Sequence, residues 1–326
     1  MTAPQPGPGG VEVRWGLEQL GTLLCRLGIE RPFLVASERW DALALQAAGR
    51  WSEVPSHRIE VAADADGILA VGGGSAIDTA KAASAQSGLR LVSVPTTYSG
   101  AEWTGYYGVR DPGRRMVGGG AGAVIAAIVY EPKLTLDLPR DQTVGTSLNA
   151  LAHCAEALYV DGRTDEGDRH ALAGAALISE WLPRVVEAPG DLEARTRLLE
   201  GAMHAGAALA ASMLALGHAM AQALGGTYGL PHGAMNAIVL PAALRFNREV
   251  APQAIDALGR ALGAGDPVAR VEELARLGGF ERLRDLGVPE EEIPRVAERA
   301  ASRAGSKANP RPASAAEIAE LLRSVW

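Results

Sequence analysis

The sequence predicts an α/β N-terminal domain with a parallel sheet, followed by an all-α C-terminal domain. Short apolar runs typical of buried strands alternate with helical patterns in the first half of the chain. Such alternation is the pattern of a parallel sheet covered on both faces. From Asp141 onward helical patterns dominate. We therefore place an α/β domain at residues 1–145, with a flexible tail at 1–10, and a helical domain at 146–326.

The individual elements follow from length and periodicity. Uninterrupted apolar runs of four to six residues favour buried strands, and apolar residues spaced three and four apart favour helices. The predicted strands are Arg31–Ala36, Gly67–Val71 and Leu91–Val94. The predicted helices are Leu17–Leu27, Trp40–Trp51, Ser75–Ser87, Thr143–Val160, Arg169–Val186, Asp191–Ala215, Met220–Leu224 and Ala234–Phe246.

Composition excludes several classes of function. The net charge of −7 argues against a nucleic-acid-binding protein, because there is no general excess of basic residues to meet phosphates. The apolar stretch Ala202–Ala215 is too short to span a bilayer. No secretory signal is visible, so we expect a cytoplasmic protein. The two cysteines, Cys25 and Cys154, are far apart and favour buried thiols over a disulfide or metal site.

A glycine-rich turn follows the second predicted strand. Gly72, Gly73, Gly74 and Ser75 lead from this strand into a helix. Glycines allow backbone N–H groups to approach phosphate oxygens, and a helix N-terminus favours an anion. The alternative is a tight turn without a ligand. The turn also lacks the GxGxxG spacing, so a standard Rossmann assignment does not follow.

A second loop leaves the sheet after the third predicted strand. It contains Thr96, Thr97 and Ser99 and lies at a carboxyl strand end, where ligands bind in open α/β sheets. Adjacent hydroxyls there suit a phosphate or a ribose. The alternative is a hydroxyl-capped turn.

Three of the six histidines form a candidate site. Asn149 and His153 lie four residues apart and share one helix face. His218 and His232 come from two later segments. Imidazoles gathered from separate helices can bind Zn²⁺ or Fe²⁺, or can transfer protons. Spacing alone also allows each of them to be an ordinary buried or surface histidine.

Six motifs together make the chain resemble the iron-containing (group III) alcohol dehydrogenases, which share the dehydroquinate-synthase-like fold. The chain is most similar to the maleylacetate reductase branch of that family. The motifs are GGGSxIDTAK (Gly72–Lys81), PTTxxGxE (Pro95–Glu102), YEPxLT (Tyr130–Thr135), NALAHxxEALY (Asn149–Tyr159), GHxMAxxLGG (Gly217–Gly226) and LPHGxxNAIVLP (Leu230–Pro241).

The resemblance implies a nicotinamide cofactor, NADPH or NADH, in a cleft between the two domains. The cofactor-binding positions would be Ser37, Gly72, Gly73, Gly74, Ser75, Asp78, Thr96, Thr97, Ser99 and Arg115. The family's metal positions fall on Asn149, His153, His218 and His232, with Asn149 in place of an aspartate. A neutral amide brings no charge to offset a divalent metal. A metal-independent site is therefore favoured, and a zinc or iron site is the alternative.

The chain departs from the family pattern in several places. Gln222 replaces a histidine near the nicotinamide, and the segment Trp51–Gly67 is too short for a helix that the family has there. Ser37 stands where many members have an aspartate that binds the ribose. With Arg39 nearby it should tolerate a 2′-phosphate, so we expect NADPH to bind at least as well as NADH. The glycine-rich segment Gly113–Gly122 is predicted to be a loop. Three basic residues in this segment or just before it either anchor a dicarboxylate or are solvated loop charges: Arg110, Arg114 and Arg115.

The leading hypothesis is a metal-independent NAD(P)H-dependent reductase of a small carbonyl substrate, such as a maleylacetate-like oxo acid. The substrate side would be lined by Thr104, Tyr106, Tyr107 and Gln222. The second hypothesis is a metal-dependent alcohol dehydrogenase. The third is a family member that has lost hydride transfer and serves as a non-redox enzyme or a binding protein. The resemblance also implies a homodimer.

Overall fold

In the computed structural model, which describes residues 10–40, 47–56, 59–111 and 115–326, the chain divides into two compact units. Unit 1 comprises the described residues up to Thr97, together with Ala101–Asp137. Unit 2 comprises Tyr98–Gly100 and Leu138–Trp326. A helix of unit 2, Arg140–Ala157, runs through residues 145 and 146, between which the domain boundary was predicted. The division at residues 145–146 remains a prediction.

Unit 1 is built on a six-stranded parallel sheet. The strand order is β1-β8-β5-β4-β2-β3, and every neighbouring pair is parallel. The strands are β1 (Glu12–Trp15), β2 (Pro32–Ala36), β3 (Gly49–Trp51), β4 (Gly67–Gly72), β5 (Arg90–Pro95) and β8 (Val124–Tyr130), and the helices are α1 (Gln19–Arg26) and α2 (Gly74–Ser87).

Both faces of this sheet are buried, which explains the continuous apolar strands. Leu34 and Leu69 lie in one core cluster with residues of α1. Their neighbours Phe33 and Ile68 lie in a second cluster with residues of α2. Since successive side chains of a strand point to opposite faces, each strand needs apolar residues at every position. The predicted α/β class is confirmed.

Several sequence-based element predictions were wrong. The last part of the helix predicted over Trp40–Trp51 is a strand instead, because Gly49–Trp51 forms β3 beside β2. Residues 41–46 lie outside the described part. The loop predicted at Gly113–Gly122 contains β7 (Met116–Gly120), which pairs antiparallel with β6 (Tyr107–Arg110). Glycine weakens strand propensity, so this hairpin depends on pairing that the sequence does not reveal.

The segment between β3 and β4 contains no helix in the stretches that the structure describes, residues 52–56 and 59–66. This agrees with the short Trp51–Gly67 segment seen in the sequence. Arg31 and Glu30, which precede β2, instead donate backbone N–H groups to the Asp66 carboxylate. The loop is thus tied to the strand beside it.

The described part of unit 2 is helical, as predicted. Polar residues cap several helix starts; for example, Thr164 accepts from the Gly167 N–H, and Asp191 accepts from two N–H groups. No helix among the described residues is long and apolar enough to cross a membrane. The helices are α3 (Arg140–Ala157), α4 (Asp165–Glu187), α5 (Leu192–Ala210), α6 (Leu216–Tyr228), α7 (His232–Asn247), α8 (Pro252–Ala261), α9 (Pro267–Arg276), α10 (Ile293–Ala301), α11 (Ala304–Lys307) and α12 (Ala315–Ser324).

The cysteine prediction was half right. Cys154 is buried in α3, and burial raises the pKa of its thiol. Cys25, which lies on α1, is exposed rather than buried. Its position on the helix turns it away from the leucines that face the sheet.

Candidate functional site

In unit 1, the predicted phosphate turn is a close-packed loop between β4 and α2. A Cβ atom at Gly73 would lie 2.8 Å from Cγ2 of Thr97, and Gly72 has a φ of 152°. The Thr96 N–H donates to the Gly72 carbonyl oxygen at 3.0 Å, which joins the two predicted loops. The N–H groups of Ala76 and Ile77 donate to the Gly73 carbonyl oxygen at 3.0 and 3.1 Å. At a helix start this leaves the N–H groups of Gly74 and Ser75 as the candidate donors to an anion.

Ser37 lies next to this turn in the sheet order. It follows β2, which pairs with β4, so Ser37 and Gly72 end neighbouring parallel strands. Its carbonyl oxygen accepts from Arg50 at 2.7 Å. Arg39 is about half exposed, and its guanidinium lies 3.8 Å from Asp137.

Asp78 is engaged within unit 1. Its Oδ1 lies 3.2 Å from Nζ of Lys81, and its Oδ2 accepts from the Gly108 N–H at 3.3 Å. Lys81 is buried and also donates to the Tyr106 carbonyl oxygen at 2.9 Å. The pair links α2 to the start of the β6–β7 hairpin. A direct contact between Asp78 and a cofactor remains a prediction. Lys81 was not predicted, although it closes the first motif.

The predicted substrate-side residues of unit 1 lie on or next to the hairpin. Tyr106 is 64% exposed, and the Tyr107 hydroxyl lies over Gly120 of β7. Thr104 is partly buried, and the exposed Arg115 donates its backbone N–H to Asp111 at 2.8 Å. Arg114 lies outside the described residues.

In unit 2, the three predicted histidines lie together. His153 of α3 and His218 of α6 stack with ring centroids 4.6 Å apart. His232, the first residue of α7, lies 5.8 Å from His218, also between centroids. His153 and His218 are buried, and His232 is partly exposed. The cluster is therefore a compact group of imidazoles with one side at the surface.

Glu156 fixes the orientation of His218. Its fully buried carboxylate accepts from Nδ1 of His218 at 2.6 Å, and from the backbone N–H groups of His218 and Ala215 at 3.0 and 2.8 Å. Because a carboxylate only accepts, Nδ1 of His218 carries a proton. Nε2 of His218 is buried and has no hydrogen-bond partner among the described residues. Glu156 was missed, although it lies three residues after His153 in the same motif.

A chain of amides fixes the orientation of His232. The Ser99 carbonyl oxygen accepts from Nδ2 of Asn149 at 2.8 Å, so Oδ1 of Asn149 faces Asn236. Nδ2 of Asn236 donates to that oxygen at 2.6 Å and lies 3.1 Å from Nε2 of His232. A backbone carbonyl can only accept, so the direction of every bond follows from it. Nε2 of His232 is the acceptor, and its proton lies on Nδ1.

Ser99 contributes to the amide chain through its backbone. It belongs to unit 2 through the short segment Tyr98–Gly100, and its backbone carbonyl begins the amide chain. The Tyr98 N–H donates to the Thr146 hydroxyl of α3 at 3.3 Å, which ties the segment to the same helix. Contact of the Ser99 side chain with a cofactor remains a prediction.

The arrangement of these atoms does not fit a four-ligand metal site. The single lone pair of His232 Nε2 and the Asn149 oxygen both accept from one Asn236 amide. A metal ion bound by His232 and Asn149 would have to displace these bonds, and Asn149 would offer it a neutral oxygen rather than a carboxylate. Within residues 10–40, 47–56, 59–111 and 115–326, no group of three or more His, Cys, Asp or Glu side chains is arranged to hold a metal ion.

Gln222 lies one turn after His218 on α6. Its side-chain oxygen accepts from Nη1 of Arg303 at 3.1 Å, and its backbone oxygen from Nη2 at 3.4 Å. Arg303 was not predicted, because nothing in the sequence links it to a residue 81 positions earlier.

Comparison with known families places these residues in context. Residues 57–129 match the model of the iron-containing alcohol dehydrogenases, and residues 143–326 match the C-terminal model of the Fe-containing alcohol dehydrogenase family. The chain is 35% identical to a maleylacetate reductase of Pseudomonas knackmussii, over 95% of this chain and 93% of the relative.

Solved structures give the same result. A maleylacetate reductase from Agrobacterium tumefaciens aligns with a TM-score of 0.86 at 28% identity, covering 100% of this chain and 98% of that one. An iron-containing alcohol dehydrogenase from Corynebacterium glutamicum aligns with a TM-score of 0.87 at 28% identity, covering 100% and 96%.

Proposed function

The chain belongs to the iron-containing alcohol dehydrogenase family, and we propose that it uses NADPH or NADH to reduce a small oxo acid similar to maleylacetate, without a metal ion. Family membership makes it an oxidoreductase of carbonyl or CH–OH groups with a nicotinamide cofactor. The oxo acid is proposed because relatives with 33–38% identity are maleylacetate reductases.

The proposal that the reaction needs no metal ion rests on one observation, the chain of side-chain amides between Ser99 and His232. Asn149 donates to Ser99 and accepts from Asn236, which in turn donates to His232. These bonds hold His232 as a neutral imidazole and occupy its Nε2. Hydrogen bonds from the protein thereby orient the histidines, as hydrogen bonds to the ligands orient them in a metal site.

His218 is the proposed proton donor to the substrate oxygen. Glu156 holds Nδ1, so the imidazole can carry a second proton on Nε2 while the carboxylate balances the charge. Donation of that proton leaves a neutral ring with its remaining proton on Nδ1. His153, stacked on His218, fixes the plane of the donating ring.

The nicotinamide supplies a hydride to the substrate when it is bound. Negative charge then develops on the carbonyl oxygen, whether the hydride adds to the carbonyl carbon or to a conjugated C=C bond. A proton donor at that oxygen lowers the barrier in both cases. For the cofactor phosphates we propose the backbone donors of the Gly72–Ser75 turn, with Thr96 and Thr97 beside it.

The cofactor preference follows from Ser37. A small neutral residue at the end of β2 does not repel a 2′-phosphate, and Arg39 is close in sequence and partly exposed. We therefore expect NADPH to bind at least as tightly as NADH.

We also expect a homodimer, which sedimentation velocity can test.

The function is tested with chelator-treated protein whose metal content is measured. Titration with NADPH and NADH, followed by cofactor fluorescence, should show saturable binding of both. Consumption of NADPH with maleylacetate should persist after metal removal, and NMR of the product identifies the bond reduced. Activity that disappears with the metal and returns with added Fe²⁺ or Zn²⁺ would overturn metal independence. Absence of cofactor binding would overturn the reductase itself.

A further inference from the structure

Two arginines, Arg299 and Arg303, lie beside α6 and form no ion pair within the described part of the chain. Arg303 follows α10 and contacts Gln222, and Arg299, one turn earlier on α10, donates to the Thr227 hydroxyl at 2.9 Å. No Asp or Glu of the described residues lies within 4.0 Å of either guanidinium. Arg295 on the same helix, by contrast, pairs with Glu292 at 2.7 Å. Among the residues that the structure describes, two positive charges thus have no ion pair here, although the net charge of the chain is −7.

The environment of Arg303 makes this unusual. The residue is about half buried, and its Nε is buried without an acceptor among the described residues. Burial and the neighbouring Arg299 lower the pKa of the Arg303 guanidinium. Removing a cation from water without a counter-ion is unfavourable, so such a group points to an anionic partner.

The contact with Gln222 connects Arg303 to the histidine cluster. Gln222 lies four residues after His218 on α6, so the two side chains share one face about 6 Å apart along the helix axis. An amide oxygen accepts well from a guanidinium. Gln222 occupies two of the five N–H donors of Arg303. One donor remains on each Nη atom, and the fifth is the buried Nε–H.

We propose that Arg303, held by Gln222, is the anchor for a carboxylate of the oxo acid whose carbonyl oxygen faces His218. This inference rests on the proposed function and deepens it. A guanidinium fork matches a carboxylate bidentately, and the spacing along α6 suits a substrate whose acid group lies a few bonds from its carbonyl. Arg299 adds positive charge at the same place.

The kinetic test compares Arg303→Gln with a matched control on the same helix, Arg295→Gln. For maleylacetate, Arg303→Gln should raise KM roughly 10- to 100-fold, the effect of losing hydrogen bonds to a charged group. For the methyl ester of maleylacetate, the same substitution should change KM by less than about threefold. Arg303→Lys should give an intermediate KM, because it keeps the charge but loses the fork. Arg295→Gln should leave KM unchanged for both compounds.

A binding test does not depend on turnover. Calorimetric titration of the protein with succinate should show saturable binding that Arg303→Gln abolishes and Arg295→Gln retains, with circular dichroism confirming that each variant is folded. Equal succinate affinity for wild type and Arg303→Gln would overturn the anchor, as would no succinate binding by wild type. Equal losses for maleylacetate and its ester would also overturn it.

The two proposals can fail separately. A wild-type protein that reduces no oxo acid but binds succinate through Arg303 loses the proposed function and keeps the anchor. A wild-type protein that reduces maleylacetate with a KM indifferent to Arg303 keeps the function and loses the anchor.

Discussion

At the residue scale, the chemistry of the site depends on which atom of each side chain donates. Asn149 differs from an aspartate by one NH₂ group, and that group donates to the Ser99 carbonyl oxygen. The direction of this first bond sets the direction of the next two, as far as Nε2 of His232. A single amide thereby decides whether the cluster is a hydrogen-bonded network or a potential ligand set.

The substitution Asn149→Asp tests this dependence. The new carboxylate would face the Ser99 carbonyl oxygen and could not donate to it, which leaves a repulsive contact costing about 1–3 kcal/mol. It would also place a negative charge among three imidazoles and favour a divalent cation. We expect lower metal-free activity and a gain of Zn²⁺ binding, measured as metal per chain after reconstitution and dialysis.

The matched control is Asn247→Asp. Asn247 is also buried, and it also donates to a backbone carbonyl oxygen, that of Ala243 at 3.1 Å, but it pairs with Asn309 rather than with the histidines. This variant should lose stability without binding Zn²⁺. Full metal-free activity in Asn149→Asp would show that the amide donor is dispensable.

At the element scale, the β4–α2 turn has three successive glycines, Gly72, Gly73 and Gly74, where a helix begins. The space that a side chain would occupy at Gly73 is limited by Thr97 from the next loop. The turn and the threonine loop therefore constrain each other, and both end neighbouring parallel strands. This is the arrangement expected of an anion site at a sheet edge.

Gly73→Ala should weaken cofactor binding. The added Cβ would lie 2.8 Å from Cγ2 of Thr97, so either the threonine or the turn must move. We expect the dissociation constants of NADPH and NADH to rise about tenfold or more, equivalent to about 1.4 kcal/mol, as measured by fluorescence titration. Gly21→Ala in α1 is the control, because a Cβ there meets nothing within 4 Å. Unchanged affinity in Gly73→Ala would place the phosphates elsewhere.

How far the sequence predicted the structure depends on the range of the interactions. Local periodicity and glycine punctuation were sufficient for β4, α2 and the helices of unit 2. β1 and β8 were missed: β1 is a strand because Glu12 pairs with Ala127, more than one hundred residues away. The β6–β7 hairpin was missed for the same reason, since its glycines disfavour a strand without a partner.

The candidate site shows the same limit. Three histidines were selected from the motifs, but Glu156 and Asn236 were missed although they lie in the same motifs. Arg303, which contacts Gln222, lies outside every motif. Glu156 and Asn236 look like ordinary helical polar residues until the fold brings α3, α6 and α7 together. Hydrogen-bond direction also requires coordinates, so the protonated nitrogen of His232 was beyond sequence reasoning.

At the scale of the whole molecule, a second histidine pair outside the candidate site links stability to pH. His170 of α4 and His204 of α5 face each other, with their Nδ1 atoms 2.8 Å apart. Burial lowers the pKa of both imidazoles below the ordinary value of 6.5. The neighbouring His170 lowers the pKa of His204 further, whereas Glu166 and Glu200 partly offset the lowering at His170 and His204. The two rings cannot both carry a second proton while α4 and α5 remain packed, because each Nδ1 would then hold a proton directed at the other.

The sign of the pH effect follows from these shifts. Below pH 6.5 the unfolded chain takes up protons on both histidines that the folded chain resists, so folding becomes less favourable as the pH falls. The pair contributes its full stability above that pH. Glu102 acts in the opposite direction, because burial raises the pKa of its carboxyl, and folding then favours its protonated form.

Thermal unfolding of wild type and His204→Gln isolates the contribution of the pair. A glutamine can still accept or donate a hydrogen bond to His170 but does not titrate. The melting temperature of wild type should fall more between about pH 7.5 and about pH 5.5 than that of His204→Gln. The variant lacks one of the two imidazoles whose lowered pKa favours the unfolded chain in that window. Above about pH 8 both proteins hold neutral groups at this position, so the difference between their melting temperatures should no longer change with pH. Parallel melting curves across the whole range would show that the pair does not couple protonation to folding, since the contribution of Glu102 is common to both proteins and cancels in the comparison.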